Sequence, residues 1–90
     1  MLDRTVTVVN PLGLHARAAA QLVRVASTFD CSITLRRADT GVEADAKSIL
    51  NVLYIAASKD LELHIVANGD DEADAMTAVE GLFLNGFGEI

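Results

Sequence analysis

Thr5-Val6-Thr7-Val8-Val9-Asn10-Pro11-Leu12-Gly13-Leu14-His15-Ala16-Arg17 is the stretch on which the reading of the fold turns. Its first five residues are all β-branched, and such side chains favour a strand. Asn10-Pro11-Leu12-Gly13 then ends the run with turn residues. From Ala16 the period changes. Ala19, Leu22, Val23, Ala26 and Phe29 recur at spacings of three and four, one face of a helix. His15 therefore falls at the N-cap. Its ring stands beside the free N–H groups of a helix start, and Arg17 adds a fork-shaped cation two residues on. Those parts suit a phosphate held on or next to an imidazole.

Outward from this stretch, the rest of the chain alternates between the same two periods. Ser32 to Arg36 alternates as a half-buried strand. Ala38-Asp39-Thr40-Gly41 is a turn, and Val42 to Asp45 is a second short strand, so the two predict a hairpin. Ile49 to Ile55 reads as a short helix with Ser48 as its N-cap. Leu61 to Val66 alternates cleanly. Asn68-Gly69-Asp70-Asp71 is a turn, with Asp71 or Asp70 capping a last helix. Ala75, Met76, Val79, Leu82 and Phe83 are its apolar face, and Asn85-Gly86-Phe87-Gly88 ends it. The order is β-α-β-β-α-β-α. Alternating strands have one wet face, so the sheet is antiparallel or mixed with the helices on its dry face, an open-faced sandwich.

Composition narrows the function. Ninety residues make one domain, spanning residues 1–90, and half of them are hydrophobic. A net charge of −6 argues against general nucleic-acid binding. Arg17, Arg24, Arg36 and Arg37 all lie in the first half, which points to a local anion site. Cys31 is the only cysteine, read as a half-buried thiol at a strand start, and no Cys/His cluster has zinc spacing. Met1 to Thr5 lacks the apolar core of a signal peptide, and no apolar run reaches the length of a membrane span. The expected location is the cytoplasm, with no membrane insertion.

His15 can be a capping residue without chemistry, but its setting favours a nucleophile. A neutral imidazole nitrogen attacks phosphorus directly and needs no general base, so the lack of a nearby acid is no objection. The N–H groups of Ala16 and Arg17 and the Arg17 guanidinium would hold the phosphoryl oxygens. Ser48 is a plain N-cap or a regulatory phosphorylation site at a helix start. In the short helix, Val52 and Ile55 with Ile49 are expected to face the core. Leu50, Leu53 and Tyr54 then form an exposed apolar patch. His64 is expected on the polar sheet face with Glu62, as a solvated side chain. Asp70, Asp71, Glu72 and Asp74 read as an acid-rich helix start, not a metal site.

Gly13-Leu14-His15-Ala16-Arg17 followed by Ala19, with Ala46-Lys47-Ser48-Ile49 some thirty residues later, resembles the HPr family, the histidine-containing phosphocarriers of the bacterial phosphotransferase system. The resemblance covers essentially the whole chain, and the ending Asn85 to Glu89 is similar too. It implies an α+β open-faced β-sandwich, a four-stranded antiparallel sheet in order 1-4-2-3 with three helices on one face. It implies a phosphoryl carrier, not an enzyme, with no cofactor. Enzyme I would phosphorylate His15 at Nδ1, and an EIIA-type protein would accept the phosphoryl group. Arg17 would steady the phosphate, and an HPr kinase/phosphorylase would modify Ser48. The implied docking face joins Ala20, Arg24 and Ser27 to Ile49, Leu50 and Leu53, on a monomer.

Several residues depart from the family pattern. Ala18 stands where proline is usual, Leu12 replaces a small polar residue, and Asp60 stands where glycine is common. Residues 54–57 lack the glycine that often ends the second helix, and the Ala38 to Gly41 turn is about two residues longer than usual. Two alternatives belong to other classes. One is a regulator controlled through Ser48, or a nitrogen-related relay. The other is an acylphosphatase-like hydrolase using Arg17, which lacks a second polar group to orient water.

Overall fold

The computed structural model describes residues 1–55 and 57–89. Alternation along the strands explains the sheet. Val6, Ile33, Leu35, Ala44, Leu63, Ile65 and Ala67 are buried on one face, while their neighbours in sequence are more exposed. The strands are β1 (Leu2–Thr7), β2 (Ser32–Arg37), β3 (Glu43–Asp45) and β4 (Glu62–Asn68). All pairings are antiparallel, in the order β1-β4-β2-β3. Opposed pairs such as Val6 with Leu63 and Leu35 with Ile65 put the apolar rows in register.

Three helices cover the buried face: α1 (Ala16–Ala26), α2 (Ile49–Ile55) and α3 (Glu72–Leu84). α1 buries Ala18, Ala19, Leu22 and Ala26, and α3 buries Ala75, Met76, Val79 and Phe83. Val23, Phe29 and Leu82 pack at the edge of this core. No described helix is long and apolar enough to cross a membrane.

The structure corrects several expectations. β1 runs Leu2–Thr7, not Thr5 to Val9, because Leu2 and Asp3 find partners in Ala67 and Val66 of β4. Pairing there outweighs the poor strand propensity of Asp3. Val8 stays buried and is tied instead to the turn before β4, its N–H to Leu61 O (2.9 Å) and its O to the Asp60 N–H (2.7 Å). Cys31 is fully buried, and burial foremost pushes its thiol above its ordinary pKa. Asp71 occupies the N-cap of α3 but caps nothing with its side chain. Its carboxylate accepts the N–H groups of Asp30 (2.8 Å) and Cys31 (2.9 Å), clamping the entry to β2. Glu72 accepts the Gly69 N–H and pairs with the amino terminus at 2.9 Å. His64 lies on the open face but is half-buried, with Nδ1 3.2 Å from Thr5 Oγ1.

Two departures from the family pattern have visible consequences. Asp60 adopts φ +75°, a left-handed conformation that glycine takes without strain. The Ala38 to Gly41 turn is braced by Arg37, whose guanidinium forks onto Asp39 (2.8 and 2.9 Å) and reaches Ile55 O (3.0 Å). Of the glycine-free stretch at 54–57, residue 56 lies outside the described residues.

Candidate functional site

The loop before α1 is built by Gly13. At φ +63° it turns the chain sharply, and a Cβ there would lie 2.3 Å from Ala57 O. Its N–H donates to Asn10 O (3.1 Å), and the next N–H, of Leu14, donates to Ala57 O (2.8 Å). Leu14 is buried, so His15 is lifted from the core by an anchored neighbour. His15 has extended backbone (φ −75°, ψ 178°) and occupies the N-cap without a side-chain cap bond. The first helical bond runs from the Ala19 N–H to His15 O (2.8 Å). The N–H groups of Ala16, Arg17 and Ala18 therefore have no partner within the helix. The His15 ring stays about a quarter exposed, with a relative accessibility of 26%.

Sequence reading expected no acid at His15, and that expectation is wrong. Glu89 Oε2 lies 2.6 Å from His15 Nε2. A carboxylate only accepts, so Nε2 is the protonated nitrogen facing it, and in the neutral ring Nδ1 carries the lone pair. Asn10, 1% exposed, stands behind this pair. Its Nδ2 donates to Gly13 O (2.7 Å) and to the same Glu89 oxygen (3.2 Å). Hydrogen bonding with His15 foremost, then Asn10 and the nearby Arg17 charge, holds the Glu89 carboxyl below its ordinary pKa despite its partial burial. Glu89 is delivered by a short 3-10 turn, Gly86–Gly88, pinned by Phe87 packed edge-to-face on Phe83 with ring centres 5.0 Å apart. Asn10 and Glu89 are 79 residues apart, and only the shared turn context hinted at either.

Arg17 is exposed and makes no ion pair among the described residues. It shares one stripe of α1 with Ala20 and Arg24, which Ser27 continues at the C-cap, spaced by three, four and three residues. Beside α1 lies α2. There the structure moves Ile49 out of the expected core stripe. Val52 and Ile55 alone are buried, while Ile49, Leu50 and Leu53 are exposed, Leu50 at 74%. A two-turn helix over the three-residue β3 has too little surface beneath it to cover a third side chain. Tyr54 and Leu12 are also exposed. Ser48 precedes α2, its Oγ accepting the Asn51 N–H at a long 3.4 Å. Among the described residues, no group of three or more His, Cys, Asp or Glu side chains could hold a metal.

A family model described as the PTS HPr component phosphorylation site matches residues 2–85. The chain belongs to the HPr family. It is 47% identical to the phosphocarrier protein HPr of Treponema pallidum, over 99% of both chains. It is 38% identical to the phosphocarrier protein NPr of Escherichia coli, over 98% of this chain and 97% of that one. The crystal structure of HPr from Thermoanaerobacter tengcongensis superposes with a TM-score of 0.92 at 34% identity, covering 100% of this chain and 99% of that one. That protein is also known as a dimer. HPr-family membership makes a phosphocarrier of this chain, and the solved relative carries the same open-faced sandwich.

Proposed function

We propose that this HPr-family chain accepts a phosphoryl group on His15 Nδ1 from enzyme I and passes it to an EIIA-type protein. One observation carries the reading. The ring stands at the start of α1, whose first three N–H groups have no partner within the helix, and Nε2 faces Glu89, which leaves Nδ1 available as the nucleophile. In the transfer, the bond from phosphorus to the donor's nitrogen breaks as the bond to Nδ1 forms. The N–H groups of Ala16 and Arg17 and the Arg17 guanidinium stabilise the phosphoryl oxygens. No general base takes part, since the attacking nitrogen bears no proton.

Docking uses the Ala20, Arg24 and Ser27 stripe together with Ile49, Leu50 and Leu53. A small apolar patch suits a carrier that must release quickly. Ser48 borders that patch, so a phosphate on it, added by an HPr kinase/phosphorylase, would set negative charge against partners and modulate docking. The carrier works as a monomer in the cytoplasm. The 38% identity to an NPr supports a second reading, a nitrogen-related relay with a different acceptor.

The test is phosphoenolpyruvate with enzyme I. The wild type takes up an acid-labile, base-stable phosphate and His15→Ala takes up none; equal labelling of both would overturn the reading. Transfer onward to sugar-type and nitrogen-type EIIA domains separates the two roles. A parallel reaction with ATP and the kinase, using Ser48→Ala as the control, tests the regulatory site.

A further inference from the structure

We propose that Asn10 and Glu89 are positioning residues that hold the His15 ring with Nε2 protonated and Nδ1 free to attack phosphorus. The inference rests on the carrier reading and extends it to two residues that touch no reacting atom.

The orientation of the Asn10 amide follows from its surroundings. Nδ2 faces two acceptors, Gly13 O and Glu89 Oε2. A flipped amide would set Oδ1 against both oxygens, so the observed orientation is the only one that bonds. The arrangement leaves Asn10 Oδ1 buried with no hydrogen-bond partner among the described residues. An orphaned buried acceptor costs stability. Bracing the Gly13 turn needs only one amide hydrogen; the second is directed at the Glu89 carboxylate. Glu89 reaches that point because Phe87 takes up φ +55°, a strained conformation for a non-glycine residue, and is itself buried. Strain and an unpaired acceptor thus both converge on placing one carboxylate oxygen 2.6 Å from Nε2.

The chemistry explains what this placement does. The tautomer protonated at Nδ1 cannot attack, so every moment spent in it is lost to transfer. A carboxylate at Nε2 excludes it. As the Nδ1–P bond forms, the ring gains positive charge while its proton stays on Nε2, and Glu89 lies against that charge. On the return step the Nδ1–P bond breaks toward the acceptor, and the ring leaves neutral, still protonated at Nε2. Glu89 therefore assists in both directions without gaining or losing a proton.

Phosphoramidate tests this without a docking partner. Its P–N bond breaks as the Nδ1–P bond forms, and ammonia leaves. Nitrogen-15 NMR of His15 reads the tautomer directly. The wild type shows a protonated Nε2 and an unprotonated Nδ1. Glu89→Ala shows a tautomer mixture and phosphorylates about tenfold more slowly. Glu89→Gln keeps an acceptor oxygen without the charge, so it retains the tautomer and falls between the two in rate. Asn10→Ala, checked for folding by circular dichroism, shifts both readouts in the direction of Glu89→Ala. Wild-type nitrogen shifts and an unchanged rate in Glu89→Ala would overturn the inference. Failure of the wild type to be phosphorylated by phosphoramidate or enzyme I would instead overturn the carrier reading, while the nitrogen shifts would still decide the pairing.

Discussion

Replacing Gly13 by alanine should be among the most damaging single-methyl changes in the chain. Three effects add. The left-handed backbone at φ +63° costs an alanine about 1 kcal/mol. The new Cβ would lie 2.3 Å from Ala57 O and 2.9 Å from Ser58 Cα, both backbone atoms that cannot rotate away. Relieving such overpacking costs about 1–3 kcal/mol. Moving the loop to do so lengthens the bond from the Leu14 N–H to Ala57 O, worth about 1 kcal/mol. The sum is about 3–5 kcal/mol, against a total stability of about 4–13 kcal/mol for a chain of this length. Thermal unfolding by circular dichroism should then show a Tm lower by about 15–30 °C. Gly41→Ala is the matched control. Its φ is +77° but nothing lies within 4 Å of the added methyl, so only the backbone penalty of about 1 kcal/mol applies. If the two variants lose equal stability, the clash with Ala57 is not what makes Gly13 necessary.

Other consequences can be measured on the same footing. Asp60→Gly relieves a left-handed non-glycine residue, and urea titration should show a gain of about 0.5–1 kcal/mol. Leu50→Lys changes an exposed side chain, so stability should stay within about 0.5 kcal/mol, while the KM of enzyme I for this chain rises in a transfer assay. The Asp71 carboxyl is held below its ordinary pKa, chiefly by the Asp30 N–H, and Glu72 is lowered chiefly by the amino terminus. A depressed carboxyl stabilises the fold above its unfolded pKa, and that contribution is lost as the pH falls through the folded value. Stability should therefore drop below a pH of about 4, and Asp71→Ala should flatten the decline in melts run across that range.

What was legible in the sequence is what local pattern carries. The change of period at His15 located a strand, a turn and the start of α1, and the alternation from Leu61 to Val66 located β4. The ends of elements were less visible, because pairing decides them. Leu2 and Asp3 join β1 because Ala67 and Val66 of β4 pair with them. The fate of Ile49 depends on how little surface β3 offers under α2, which spacing alone does not express. Asp71 looked like a cap because its position is a cap, yet its carboxylate faces another segment across 40 residues.

The His15 loop shows the same limit at closer range, and it bears on Ala18. A proline there would rigidify the first turn of α1, and its absence looked like a loss of order. In the structure the Ala18 N–H has no partner within the helix, so alanine neither gains nor breaks a helical bond there. Its side chain is buried, which holds the first turn by packing. The loop ahead of it is fixed separately, by Gly13 against Ala57 and by the Asn10 amide on Gly13 O. The same amide reaches Glu89, so one buried side chain ties the loop, the C-terminal turn and the His15 ring together. Order in the His15 ring thus comes from contacts made across the fold, and Ala18→Pro should leave the nitrogen-15 shifts of His15 unchanged where Asn10→Ala moves them.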